Sequence, residues 1–320
     1  MVKLKTVYVC QHCGASSSKW FGHCPDCDSW NSFVEEKIDV SANDNGRSLT
    51  LSTKAHPQLY REVQTNEELC VKSGLPEFDL VLGGGIVSGS LVLIGGDPGI
   101  GKSTMLLWLA SDVAGVIGNT IYVTGEESPA QVKMRADRVG VSGHNLYLMP
   151  VTDLDEIIVE LEERKPVVAI IDSIQTICDA SITSEPGSVT QIKECSRKLL
   201  ECAKSNNISI IMSGHVTKEG DVAGPRILEH IVDVVLYMEG DSVNSLRLLR
   251  TKKNRFGSTD EIGIFQMTES GLADLKDPSR TFLPEYRTGV GSVIVSVIEG
   301  NRPLLAEIQA LTARSILSTP

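Results

Sequence analysis

The sequence predicts an α/β protein in which a mostly parallel sheet, flanked by helices, follows a small metal-binding module. Apolar β-branched runs alternate with amphipathic segments from Ser73 to about residue 212. Continuous apolar strands of this kind belong to parallel sheets that are covered on both faces. A glycine-rich loop joins one apolar run to a helix-like segment, and four cysteines crowd a short N-terminal stretch that has few aliphatic residues.

Bulk properties limit what the chain can be. Its 320 residues suit about two domains, and an apolar content of 41% is enough for a substantial core. A net charge of −11 argues against a protein that coats nucleic acid through its overall potential. No stretch approaches the ~20 apolar residues of a membrane span, and the start lacks the features of a secretory signal. We therefore expect a cytoplasmic protein without a membrane partner.

The N-terminal module carries the pattern of a zinc ribbon. Its cysteines form two C-x-x-C pairs: Cys10, Cys13, Cys24 and Cys27. Two such pairs can place four thiolates about 2.3 Å from one Zn²⁺, and a complete thiolate shell leaves no position for catalysis. An iron–thiolate site and a redox-active dithiol pair are the alternatives. We expect the module to cover residues 1–36 and a polar linker to follow at 37–56.

The next elements follow from hydrophobic periodicity and capping residues. Ser128 followed by Pro129 predicts a helix start, because the hydroxyl caps the helix and proline suits its first position. Other helices are expected near residues 102–115, 153–164 and 188–205. Strands are expected near residues 91–95, 120–124, 145–149, 167–171 and 208–212. Shorter strands, near residues 232–238, 245–252 and 261–267, extend the sheet.

The glycine-rich loop has the pattern G-x-x-x-x-G-K-[ST] of a P-loop. Its predicted nucleotide-binding residues are Gly96, Asp97, Pro98, Gly99, Ile100, Gly101, Lys102, Ser103 and Thr104. Such a loop turns consecutive N–H groups toward a phosphate, beside a helix N-terminus and a lysine, and Ser103 would hold Mg²⁺. A glycine-rich turn without a ligand is the alternative, but the strand before the loop and the apolar helix after it favour ATP.

Three further side chains complete the predicted ATPase site. Asp172 ends an apolar strand and is expected to bind Mg²⁺ with Ser103, although a helix cap is the competing interpretation. Glu126 follows the strand 120–124 and is expected to orient the attacking water, because the carboxyl ends of parallel strands meet at one sheet edge. His215 ends the next strand, where it would contact the γ-phosphate. A structural histidine is the alternative.

A basic run lies in the otherwise acidic chain. Between Asp241 and Asp260 there is no acidic residue, whereas the cations are Arg247, Arg250, Lys252, Lys253 and Arg255. Alone, such a run is typical of a solvated strand and turn. A local nucleic-acid-binding surface is the functional interpretation.

Together these motifs resemble one family. They are the four cysteines with Trp20-Phe21-Gly22-His23-Cys24-Pro25, the P-loop, Thr124-Gly125-Glu126-Glu127-Ser128, Gly214-His215-Val216-Thr217-Lys218-Glu219-Gly220 and Lys253-Asn254-Arg255-Phe256-Gly257. The chain closely resembles the RadA family of bacterial DNA repair proteins, also called Sms, from about Val7 to Leu311.

The resemblance implies a RecA-like ATPase core, here residues 57–283, that assembles into a hexameric ring. It implies a helicase that acts on single-stranded and branched DNA beside a recombinase filament. Lys253 and Arg255 would reach the nucleotide of the neighbouring subunit. The residues that would contact DNA are Lys218, Arg226, Arg247 and Arg250. Residues 284–320 resemble the opening strands of a domain with the Lon protease fold. Because about thirty residues are not expected to complete that domain, we expect the segment to be disordered, to add a hairpin to the core, or to mark a truncated gene product.

Two other functions remain open. One is an ATP-driven switch of the KaiC type, which shares the core and the pair of glutamates. The other is a zinc-ribbon adaptor that docks a recombinase and uses ATP only to hold its shape. The zinc ribbon and the Lys253-to-Gly257 motif favour the DNA motor over the switch, and the adaptor stays open.

Overall fold

The computed structural model describes residues 4–39, 59, 70–141, 143–214, 225–241, 245–268, 271–275, 283, 291–310 and 312. These ranges contain a small N-terminal sheet, a two-stranded ladder, a large sheet with helices, and a C-terminal hairpin. The helical and strand positions predicted from periodicity agree with the structure to within about three residues. The strand before the glycine-rich loop therefore lies inside an α/β core, as the alternating pattern predicts.

The N-terminal sheet consists of β1 (Leu4–Cys10), β2 (Ser16–Ser17) and β3 (Phe33–Asp39), which pair antiparallel in the order β2-β1-β3. Each cysteine pair lies on a turn that a backbone hydrogen bond closes. Gly14 N–H donates to Cys10 O (2.8 Å), and Asp28 N–H donates to Cys24 O (2.9 Å). Gly14 and Asp28 both have positive φ, at 72° and 59°. The two turns thus share one geometry that aims the cysteines inward.

A two-stranded ladder and a large sheet follow. The ladder pairs β4 (Cys70–Val71) with β5 (Ile86–Val87). The large sheet has the strand order β14-β13-β12-β11-β6-β10-β9-β7-β8 in the described residues. Its strands are β6 (Leu91–Gly96), β7 (Thr120–Thr124), β8 (Leu146–Met149), β9 (Val168–Asp172), β10 (Ser209–Ser213), β11 (Val234–Asp241), β12 (Leu246–Asn254), β13 (Ile262–Thr268) and β14 (Gly271–Asp274). Six strands of this sheet are parallel to one another: β11, β6, β10, β9, β7 and β8. The remaining three, β12, β13 and β14, pair antiparallel with their neighbours.

Helices cover both faces of this sheet. The helices are α1 (Pro76–Val81), α2 (Lys102–Val116), α3 (Pro129–Arg138), α4 (Leu154–Arg164), α5 (Val189–Asn206) and α6 (Pro225–Ile231). One core cluster joins the sheet to α1, α2 and α3, and a second joins it to α4, α5 and α6. Because both faces are covered, strands β6, β7 and β10 are buried along their whole length. The P-loop strand β6 therefore lies deep in the molecule, between β10 and β11.

The predicted helix start at Ser128 is confirmed in atomic detail. The Ser128 hydroxyl accepts from Gln131 N–H, and the Gln131 side chain accepts from Ser128 N–H (2.8 Å), which makes a capping box. Asp153 caps α4 and Ser188 caps α5, because each side chain accepts a hydrogen bond from a backbone N–H group in the first turn of its helix. These caps fix where each helix leaves the edge of the sheet, and hence where the adjoining loops lie.

The C-terminal body is a hairpin of β15 (Ser292–Glu299) and β16 (Arg302–Gln309). Its turn contacts the core through three side chains. Asn301 Nδ2 donates to Glu261 (2.9 Å), Arg302 pairs with Glu77 (2.5 Å), and Glu299 pairs with Arg250 (2.8 Å). The first strands expected in residues 284–320 thus form a hairpin, while their relation to a Lon-like domain stays a prediction.

Candidate active site and metal centre

The P-loop leaves β6 at Gly96 and enters α2 at Lys102. Three glycines of the loop, Gly96, Gly99 and Gly101, have positive φ, a backbone conformation that other residues rarely adopt. Gly96 has φ +150°, and a Cβ there would lie 2.6 Å from Met238 O. Gly101 has φ +113° and precedes the first residue of α2. The loop therefore bends sharply where it meets the N-terminus of α2, the end of a helix that attracts an anion.

Lys102 lies buried beneath this loop. Its ammonium donates to Gly96 O (2.8 Å) and Asp97 O (2.9 Å). Burial lowers the pKa of Lys102, while the carboxylates of Asp172, Asp97 and Glu126 act in the opposite direction. The charged nitrogen is thus held at the base of the loop, where it can bind a phosphate oxygen.

Asp172 ends β9 and meets Ser103, as the sequence predicted. Its Oδ1 atom accepts from Ser103 Oγ (3.1 Å) and from Ser213 Oγ (2.6 Å), and its Oδ2 atom accepts from Tyr122 OH (2.5 Å). A hydroxyl and a carboxylate are hard oxygen ligands of the kind that Mg²⁺ prefers. Ser103 and Asp172 therefore fit the predicted magnesium site.

The two glutamates after β7 point in different directions. Glu126 is exposed, and its carboxylate accepts from Ser173 Oγ (2.9 Å) beside Asp172. Glu127 instead pairs with Arg135 (2.9 Å). Thr124 fixes this divergence, because its hydroxyl donates to Glu127 O (3.0 Å) and accepts from Glu127 N–H (3.2 Å). Only Glu126 is thus directed to the phosphate side of the loop.

These side chains enclose one cavity of about 230 Å³. Pockets that surround a whole small-molecule ligand usually measure about 300–1,000 Å³, so this volume suits the phosphate end of a nucleotide. Lining residues are Gly99, Gly101, Lys102, Ser103, Thr104, Glu126, Arg135, Asp172, Ser173 and Ser213. Asp97 and Pro98 lie exposed on the loop, and Ile100 is partly buried under it.

Lys253 and Arg255 lie at the opposite edge of the sheet from their own P-loop. Arg255 N–H donates to Asp233 O (3.2 Å), and Asp233 N–H donates to Leu91 O (2.9 Å) at the amino end of β6. At about 3.3 Å per residue, Leu91 lies roughly 17 Å along the strand from Gly96. Lys253 Nζ donates to Glu229 O (2.5 Å) and Val232 O (2.7 Å), and burial together with Arg255 lowers its pKa.

Two other cations of the basic run have protein partners. Arg247 Nε donates to Ile100 O (2.8 Å), so this guanidinium supports the P-loop from β12. Arg250 contacts Glu239 (3.4 Å) and Glu299 (2.8 Å). Their contact with DNA stays a prediction, and both side chains are partly buried rather than fully solvated. His215, Lys218 and the side chain of Arg226 lie outside the described residues.

The four N-terminal cysteines form a metal centre. All four Sγ atoms lie within 4.8 Å of one another. The Cys10–Cys27 and Cys13–Cys24 pairs have Sγ separations of 3.7 Å and 3.5 Å. Four sulfurs at about 2.3 Å from a tetrahedral zinc ion would lie about 3.8 Å apart. The cluster therefore fits the predicted structural Zn²⁺, and His12 and His23 are not part of it.

Comparison with known proteins matches one family model to the N-terminal module and another to much of the core. A family model described as a rubredoxin metal binding domain matches residues 8–35, and one described as an AAA domain matches residues 55–221. "DNA repair protein RadA" of Bacillus subtilis is 48% identical over 323 residues, which span 100% of this chain and 70% of that protein. The protein of the same name from Listeria monocytogenes is 46% identical over 317 residues, 97% of this chain and 68% of that one.

The chain belongs to the RadA family. The resemblance expected from its motifs is confirmed, as is the RecA-like α/β fold with an N-terminal zinc ribbon. Halalkalibacterium halodurans has another RadA that is 48% identical over 322 residues. In the described part of this RadA-family chain, no helix is both long and apolar enough to cross a membrane.

Sequence reasoning missed several residues of this RadA-family site. Tyr122, Arg135, Ser173 and Ser213 all contact the carboxylates around the cavity. Two of them leave a signal in the sequence. Tyr122 is a polar-tipped residue inside a continuous apolar strand, which requires a buried partner for its hydroxyl. Arg135 shares the inward face of α3 with Val132 and Ala136, where a cation is out of place unless it is paired.

Proposed function

We propose that this chain is a DNA-dependent ATPase and helicase that promotes branch migration of recombination intermediates in the cytoplasm. Its relatives are named as DNA repair proteins, and its AAA domain supports ATP hydrolysis. The position of Lys253 and Arg255, at the sheet edge opposite their own P-loop, carries the proposal. Cations so placed reach a phosphate only on another subunit, as in a ring of six copies.

Each residue then has one task. Lys102 and the N–H groups of the P-loop hold the phosphates of ATP, and Ser103 and Asp172 hold Mg²⁺. Bound Mg²⁺ would neutralise charge on the transferring phosphoryl group. Glu126 orients water, and His215 contacts the γ-phosphate. Lys253 and Arg255 of the next subunit stabilise the developing charge, which makes hydrolysis depend on assembly.

Contact with DNA is assigned first to Lys218 and Arg226. Arg247 and Arg250 already bind protein oxygens, so DNA contact by either side chain would require these bonds to exchange. Single-stranded and branched DNA are the proposed substrates, and a recombinase filament is the proposed protein partner. Changes in the segments of the chain that contain Lys218 and Glu126 would couple ATP cleavage to movement along a strand.

Complementation between two inactive variants tests the shared site. Lys102→Ala removes the cation under the loop and is expected to lower ATP turnover about 100-fold or more. Arg255→Ala removes the partner's cation, and such groups contribute about 10³-fold or more. After subunit exchange, a mixture of both should regain turnover, because some interfaces combine an intact P-loop with an intact Arg255. A mixture as inactive as each variant alone would place Arg255 outside the neighbour's site.

DNA dependence separates the motor from its alternatives. Single-stranded DNA is expected to raise turnover of the wild-type chain, and forked DNA is expected to be unwound. The Lys102→Ala variant should do neither. If turnover ignores DNA and no strand is displaced, the chain is a KaiC-like switch or a zinc-ribbon adaptor instead.

A further inference from the structure

We propose that Tyr122 and Arg135 are positioning residues for ATP hydrolysis, which hold Asp172 toward Ser103 and hold Glu127 away from the phosphate cavity. Neither residue needs to touch the nucleotide for this. Both act through carboxylates that border the predicted magnesium site. This role rests on the proposed ATP hydrolysis at the P-loop. It adds the two residues that orient the carboxylates of Asp172 and Glu127 beside that loop.

The direction of each hydrogen bond follows from the chemistry of the donors. Arg135 Nη2 lies 3.0 Å from Tyr122 OH, and Tyr122 OH lies 2.5 Å from Asp172 Oδ2. A guanidinium has donors only, so the tyrosine oxygen accepts from Arg135. Its single proton must then point to Asp172. Arginine thereby fixes the phenol as a donor to the carboxylate.

Tyr122 is the rigid member of the set that holds Asp172. Its ring is fully buried in β7, whereas Ser103 and Ser213 are short side chains whose hydroxyl oxygens can be redirected by rotation about a single χ1 bond. The phenol is held between Arg135 and Asp172, so its hydroxyl is confined to one hydrogen-bond donor role. With Oδ2 held by this donor, Oδ1 faces Ser103.

Arg135 also controls the second glutamate. Its Nη1 atom contacts Glu127 at 2.9 Å, and its Nη2 atom lies 3.8 Å from Asp172 Oδ2. The side chain is only 13% exposed, so this charge acts in a partly desolvated setting where Coulomb interactions are strong. Without Arg135, Glu127 would stand as an unpaired carboxylate near Asp172. It would then repel Asp172 or compete with it for Mg²⁺.

Tyr122→Phe tests the orientation of Asp172, because it removes one hydroxyl and keeps the ring. We expect the Mg²⁺ concentration for half-maximal ATP turnover to rise about 10-fold and kcat to fall about 10-fold, the low end of effects seen when support behind a metal ligand is removed. KM for ATP should change less than about 3-fold, since the P-loop is untouched. Tyr147→Phe, at an exposed tyrosine in β8, is the matched control and should behave as wild type.

Arg135→Gln tests the bridge to Glu127, with exposed Arg138→Gln on the same helix as its control. We expect Arg135→Gln to raise the Mg²⁺ requirement about as much as Tyr122→Phe does, and we expect Arg138→Gln to leave it unchanged. Arg135→Lys should restore part of kcat, because it keeps the charge but not the planar pair of donors. The double variant Tyr122→Phe/Arg135→Gln should lose less than the product of the single losses, because both act through Asp172.

The outcomes distinguish this inference from the proposed function. If folded Tyr122→Phe and Arg135→Gln keep the wild-type Mg²⁺ requirement and kcat, the inference is overturned, even where thermal stability falls. If Tyr122→Phe does not fold, Arg135→Gln decides. If the wild-type chain hydrolyses no ATP, the proposed function fails. The Mg²⁺ dependence of ATP binding, measured with the same variants, then supports or overturns the inference.

Discussion

Among single residues, Asp274 shows how burial sets a charge state away from the cavity. This residue ends β14, and burial raises the pKa of its carboxyl to about 6, with further increases from Glu77, Asp112 and Asp79. The folded chain therefore binds this proton more tightly than the unfolded chain, where the pKa is near 3.8. Stability contributed by the protonated form is lost as pH rises toward 6 and stays lost above it.

Asp274→Asn should accordingly stabilise the chain at pH 7.5. Allowing for the partial exposure of the group, we expect the free energy of unfolding to rise by about 1 kcal/mol. The gain should shrink at pH 5.5, where the wild-type carboxyl is largely protonated. Urea unfolding at both pH values measures this. Asp137→Asn, on the exposed side of α3, should change stability by less than about 0.5 kcal/mol. A gain independent of pH would contradict the explanation.

Among elements, α3 connects the edge of the sheet to the cavity. Ser128 caps its start, and Arg135 on its inner face reaches Glu127 and Tyr122. The cap follows from the sequence Ser-Pro-x-Gln, but the destination of Arg135 does not. That destination depends on how α3 packs across β7, which no local pattern specifies.

Ser128→Ala should destabilise the chain by about 1 kcal/mol, because the helix loses an acceptor for its free N–H groups. Urea unfolding measures the difference. Ser205→Ala is a suitable control, since Ser205 lies inside α5 with its hydroxyl bonded to Glu201 O, where alanine favours the helix. Equal losses in both variants would show that the capping box contributes nothing.

For the whole molecule, the ribbon and the core have separate interiors. The buried cysteines and Phe33 form one cluster, whereas the two clusters of the large sheet contain no ribbon residue. Metal binding in such a small module is coupled to its folding. Loss of zinc should therefore unfold the ribbon and leave the P-loop in place.

Cys27→Ser is expected to remove zinc and to leave ATP affinity within about 2-fold of wild type, while stimulation of turnover by DNA falls. Zinc content, nucleotide binding and DNA-stimulated turnover measure the three effects. Cys70→Ser, at an exposed thiol in β4, should change none of them. An equal loss of ATP binding in Cys27→Ser would mean that the ribbon supports the core.

The sequence by itself determined the local chemistry: the zinc knuckles, the P-loop, the strand that ends in Asp172 and the cap at Ser128. Each depends on residues close in the chain, so spacing alone specifies it. Strand order was decided only by the tertiary structure. It places Tyr122 of β7 beside Asp172 of β9, and Arg255 at the amino edge beside Asp233. Contacts between residues far apart in sequence depend on packing, because long-range strand pairing and helix docking, not local patterns, bring them together.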